Sequence, residues 1–108
     1  MIPDFPSLVA THLFYGSDRA ISISQIAEDM RVSRRAVEQA IEVLRREYGT
    51  PICTGSPGVW LTTDSAELYA HAERLRSRAI RVLIGARALR ATARRHEKQK
   101  QLGMWDAA

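Results

Sequence analysis

Between residues 64 and 95 the chain has no proline and a single glycine, Gly85. Along this stretch Leu68, Ala72, Leu75, Ala79, Val82, Ala86, Leu89 and Ala93 follow one another at alternating spacings of 4 and 3. That is the heptad repeat of a helix presenting one narrow apolar seam. Asp64 is a helix N-cap, and Glu67 three residues on completes a capping-box pair. About 30 residues of helix span roughly 45 Å, longer than a domain of this size is wide. The 108 residues suffice for one core only. Part of the seam must therefore meet another chain or stay exposed, and the expectation is a homodimer through residues 68–93. The recurring alanines make the seam thin and close-packed. Gly85 costs about 1 kcal/mol relative to alanine and marks a candidate kink.

The charge distribution divides the chain. Residues 1–73 hold six basic residues (Arg19, Arg31, Arg34, Arg35, Arg45 and Arg46) against ten acidic ones. Residues 74–100 hold ten basic residues against one acidic, Glu97. An acidic front and a strongly basic back point to a polyanionic partner, most often nucleic acid. The plainer alternative is the solvated exterior of a coiled coil. Such exteriors mix both signs, however, and acidic residues almost vanish after Glu73. Apolar residues make up 45% of the chain, enough for a folded core. No apolar run approaches the roughly 20 residues that span a bilayer, so no membrane partner is expected. The N-terminus carries no visible secretory signal. A single cysteine, Cys53, forms no intramolecular disulfide and builds no structural zinc site; a cytoplasmic location is expected.

The front half reads as short helices and a hairpin. Asp4 caps a first helix, expected over residues 5–15, with Pro6 in its first turn and 16–18 as its stop. Ser22 and Gln25 form a capping box, and Ile21 with Ile26 a hydrophobic staple, so a second helix starts at Ser22 and ends near Met30. Ser33 caps a third, whose apolar stripe is Val37, Ala40, Ile41, Leu44 and Tyr48. Two β-prone runs, residues 51–54 and 59–62, flank a Gly-Ser-Pro-Gly turn and read as a hairpin. Alternation sets Ile52 and Cys53 on opposite faces.

The second and third helices resemble a helix-turn-helix. Ala27 is the small contact residue, Ile26, Met30 and Val32 pack around the turn, and Ser33, Val37 and Ala40 follow in the third helix. Arg31 stands where the family usually carries glycine. With the hairpin after it, residues 6–62 resemble the winged helix-turn-helix family, especially biotin-repressor-type bacterial and phage regulator domains. The resemblance implies a mostly α fold with a small β-hairpin wing, followed by the long C-terminal helix. The expected divisions are 1–63 for the winged domain and, from the heptads, charge and composition, 64–95 for the basic helix and 96–108 for a flexible tail. It also implies double-stranded DNA as partner, with the third helix in the major groove. On that helix Arg35, Gln39, Glu42 and Arg46 face outward, flanked by Arg34, Glu38 and Arg45. Arg suits guanine and Gln suits adenine at base edges. Arg31, Ser33, Arg34, Arg35, Gln39 and Arg46 are the candidate DNA contacts of the front. Glu38 and Glu42 are poor neighbours for phosphate and suit pairing with Arg34, Arg45 and Arg46. The hairpin tip carries no Lys or Arg. Phosphate-neutralising charge lies instead on the last helix, where Arg87, Arg90, Arg94 and Arg95 are the candidates.

Residues 101–105 resemble the bacterial sliding-clamp-binding motif through Gln101, Leu102, Met104 and Trp105, with Gly103 and Trp105 departing from the pattern. The resemblance implies a flexible tail docking on a clamp, and hence an alternative role as a replication accessory. A third reading is a protein-interaction adaptor, which the acidic front permits. An enzyme is not expected. His12, His71 and His96 are scattered, and no metal spacing, phosphate loop or nucleophile–base set is visible. No cofactor is implied.

Overall fold

A computed structural model describes residues 4–106, excluding the side chains of residues 104–106. Its elements are α1 (Phe5–Ala10), a 3-10 turn (Ser17–Arg19), α2 (Ile23–Met30), α3 (Arg34–Glu47), β1 (Ile52–Gly55), β2 (Gly58–Leu61) and α4 (Ser65–Asp106). The chain is thus mostly helical, with one two-stranded antiparallel hairpin and a long C-terminal helix. Two compact units divide it, one ending at His71 and the other beginning at Ala72.

In the first unit α1 and α2 pack against α3. The core is Val9, Leu13, Ile26, Ala27, Val37, Ala40, Ile41, Leu44, Ile52 and Val59. These are the apolar positions of the helical stripes, Leu13 beyond the end of α1, and one face of the hairpin. Asp4 caps α1, its Oδ1 accepting the Ser7 N–H at 2.9 Å. The helix stops at Ala10, short of the expected Tyr15. The Thr11 hydroxyl donates to the Leu8 carbonyl at 2.6 Å, competing with the helical ladder. Residues 14–16 then run as an edge beside β2: the Leu61 N–H donates to the Phe14 carbonyl at 2.8 Å, and the Gly16 N–H to the Leu61 carbonyl at 2.9 Å.

Half of the expected capping box at α2 forms. The Ser22 hydroxyl accepts the Gln25 N–H at 3.0 Å, but the Gln25 side chain donates forward to Asp29 at 2.8 Å instead of back to the cap. Tyr48 also departs from expectation. It caps the C-terminus of α3 and is exposed, leaving the apolar stripe to end at Leu44. Its hydroxyl donates to the Asp4 carboxylate, tying the ends of α1 and α3 together.

The hairpin pairs Ile52 with Leu61 and Gly55 with Gly58, leaving Ser56 and Pro57 as a two-residue loop. Ile21 exchanges both backbone hydrogen bonds with Val59, at 2.8 and 3.0 Å. Only glycine fits at 58: its φ is +128°, and a Cβ there would lie 2.5 Å from the Ile21 carbonyl oxygen. Both hairpin faces are covered. Ile52 and Val59 join the core, while Cys53 and Trp60 on the other face are also buried.

At the start of α4 the Asp64 carboxylate accepts the Ala66 N–H at 3.0 Å. The expected reciprocal partner, Glu67, turns the other way. Its carboxylate accepts the Trp60 indole N–H at 2.6 Å and the Thr62 hydroxyl at 3.3 Å. From Ala72 to Asp106 the second unit is one uninterrupted helix. Gly85 introduces no break, and the stretch expected to be a flexible tail from residue 96 is helical as far as Asp106. Glu97, Lys98, Gln99, Lys100 and Gln101 are good helix formers, and no proline follows Arg95 to stop the run. Among the described residues no helix is long and apolar enough to cross a membrane.

Candidate nucleic-acid interface

The turn joining α2 to α3 is made by Arg31 and Val32. Arg31 takes the left-handed conformation (φ 57°, ψ 46°). Its N–H donates to the Glu28 carbonyl at 3.2 Å and the Val32 N–H to the Ala27 carbonyl at 2.9 Å. This is a Schellman termination, which normally selects glycine. Arginine accepts about 1 kcal/mol of backbone strain there. The Ser33 hydroxyl then accepts the Ala36 N–H at 3.1 Å and starts α3.

Arg31, Ser33, Arg34, Arg35 and Gln39 are all exposed and lie within three turns of chain around this corner. Among the described residues the ion pairs are Arg46–Glu42 (3.5 Å), Arg46–Glu47 (3.8 Å) and Arg76–Glu73 (3.5 Å), all exposed. The guanidiniums of Arg31, Arg34 and Arg35 are therefore uncommitted to carboxylates, whereas Arg46 at the far end of α3 is held by two. Of the suggested glutamate pairings on α3, the one between Glu42 and Arg46 forms.

Arg34 also lines a pocket of about 220 Å³ between the first turn of α2 and the hairpin, together with Ser22, Ser24, Thr54, Ser56 and Gly58. The sequence pattern brings Arg34 near α2 but gives no sign that the hairpin loop closes the same recess. The link is the Ile21–Val59 backbone pairing, which is long-range.

Arg45 does not flank the outward face as the helical wheel suggests. It turns inward and is half-buried, donating from Nε and Nη2 to the Ile52 carbonyl at 3.2 and 3.1 Å. Nη2 also donates to His71 Nε2 at 3.1 Å. Arginine is only a donor, so this nitrogen of His71 carries no proton. The Thr54 N–H reaches the same nitrogen at 3.4 Å. Burial pushes the Arg45 guanidinium below its ordinary value. His71 is 6% exposed and joins the first turns of α4 to the hairpin. Arg45 and His71 are thus structural, although the helical wheel sets Arg45 beside the outward face.

On α4 the arginines at 74, 76, 78, 81, 87, 90, 94 and 95 are exposed, as are Lys98 and Lys100. At 100° per residue, Arg87, Arg94 and Lys98 share one stripe, and Arg95 lies on the side opposite the apolar seam. The seam residues Ala72, Leu75, Ala79, Val82, Ala86 and Leu89 are exposed too, while Leu68 is half-buried in the first unit. Gln101 and Leu102 are exposed on the last helical turns; the side chains of Met104 and Trp105 lie outside the described residues. Among the described residues no group of three or more His, Cys, Asp or Glu is arranged to hold a metal ion.

Comparison of the chain with family models, with curated proteins and with solved structures found no match in any of the three.

Proposed function

We propose that this chain is a DNA-binding protein of the winged helix-turn-helix type, a small regulator reading duplex DNA with α3. The arginines of α4 add sequence-independent hold on phosphate, and the α4 seam joins two copies. The observation that carries the reading is the α2–α3 corner: Arg31, Arg34 and Arg35 are exposed, unpaired with carboxylates and gathered at the start of a helix beside a hairpin. Base edges are read by the N-terminal residues of such a helix, and Arg and Gln39 match guanine and adenine there. The α4 surface supports the second part. Its arginines flank the seam without occupying it, so pairing and phosphate contact do not compete for the same face.

The test compares two variants with the parent on duplex DNA. Arg34→Ala with Arg35→Ala should lose about 1–3 kcal/mol for each base contact and narrow the gap between specific and random sequences. Neutralising Arg87, Arg90, Arg94 and Arg95 should weaken binding to every sequence and flatten the salt slope by about 0.9 for each lost phosphate contact. Two variants that both bind like the parent would refute the assignment of these residues.

A further inference from the structure

We infer that α4 pairs with a second copy of itself in antiparallel orientation, centred between Ala79 and Val82. The inference rests on the proposed dimer and specifies its geometry. In the heptad, Ala72, Ala79, Ala86 and Ala93 fill one seam position, and Leu68, Leu75, Val82 and Leu89 fill the other. Within the single chain three of the four large members are open to solvent: Leu75 is 37% exposed, Val82 66% and Leu89 72%, while Leu68 is half-buried.

The orientation follows from how the two rows would meet. In a parallel pair the two-fold axis runs along the coil, so each residue faces its own copy. Layers of two alanines would then alternate with layers of two leucines or two valines. Helices close enough for the alanines to touch would force the leucines to overlap; helices spaced for the leucines would leave a void at every alanine layer. Each void of methyl size costs about 1 kcal/mol. In an antiparallel pair the axis crosses the coil and the alanine row faces the leucine row. Ala72 meets Leu89 of the second copy, Leu75 meets Ala86, Ala79 meets Val82, and Leu68 meets Ala93. One register satisfies all four pairs, and each layer holds one alanine and one branched side chain. The seam then has constant thickness and allows interaxial spacing near the short end of about 8–10 Å.

Disulfide trapping in the full chain tests the orientation. Ala72→Cys and Leu89→Cys are made separately, oxidised alone and as a re-equilibrated mixture, and run on a non-reducing gel; Cys53 is 1% exposed and does not compete. The expected result is a covalent dimer in the mixture and in neither variant alone. In the antiparallel register the two thiols introduced at position 72 lie about 26 Å apart, far beyond disulfide reach. Covalent dimer from Ala72→Cys alone, with no gain on mixing, means a parallel pair and overturns the orientation while leaving the dimer in place. No covalent dimer in any sample, with a dimer by sedimentation, means the copies join elsewhere and overturns the seam. No covalent dimer with a monomer by sedimentation overturns the pairing altogether, and DNA binding is then judged by its own salt titration.

Discussion

Trp60 donates its indole N–H to the Glu67 carboxylate at 2.6 Å, fastening β2 to the first turns of α4. Trp60 is 6% exposed, so its N–H has little access to water if the carboxylate is removed. Glu67→Ala should destabilise the protein by about 1–3 kcal/mol, the cost of an unsatisfied buried donor. Glu67→Gln keeps an acceptor and should cost less. Both appear as a lower urea midpoint at unchanged slope.

Two glycine substitutions should act in opposite directions. Gly58→Ala drives a Cβ into the Ile21 carbonyl at a positive φ, and should destabilise by about 1–3 kcal/mol while loosening the hairpin. Gly85→Ala meets open space in the middle of a helix and should stabilise that helix by up to about 1 kcal/mol. Thermal unfolding followed by circular dichroism separates the two.

Arg31→Gly should relieve left-handed strain and raise stability by up to about 1 kcal/mol. If Arg31 serves DNA, the same variant binds duplex more weakly. Higher stability with unchanged affinity would reduce Arg31 to a tolerated turn residue.

Hydrogen bonds from Ser7, then from the Tyr48 hydroxyl, hold the Asp4 carboxyl below its ordinary value of 3.8. A carboxyl lowered in the folded state adds stability above its unfolded pKa, and that stability is lost as pH falls through the folded value. Tyr48→Phe should move Asp4 part of the way back toward 3.8, since Ser7 remains, and shrink its share of the acid sensitivity. An NMR titration of the Asp4 carboxyl reads the shift directly.

Local signals in the sequence were enough for the helix starts. Asp4, Ser22 and Ser33 each accept the backbone N–H three residues on, which depends only on neighbouring residues. The stripe from Val37 to Leu44 was legible for the same reason. What the sequence did not reveal was the choice among partners that only the fold brings near. Glu67 was open to the backbone of Asp64 and took Trp60. Arg45 looked solvent-facing by periodicity, yet its long side chain reaches back to Ile52 and His71. Tyr48 continued the stripe in register but found Asp4 at the other end of the unit. At the candidate site, the exposure of Arg34, Arg35 and Gln39 was readable from the wheel, and the recess shared with the hairpin was not.

Fluorescence anisotropy of a labelled random duplex against the full chain tests the proposed contact with DNA. The predicted result is saturable binding at about 50 mM salt that weakens steeply by about 200 mM, because the ten basic residues between 74 and 100 would displace counterions from phosphate. No binding at about 50 mM salt, the condition that most favours phosphate contact, would contradict the claim.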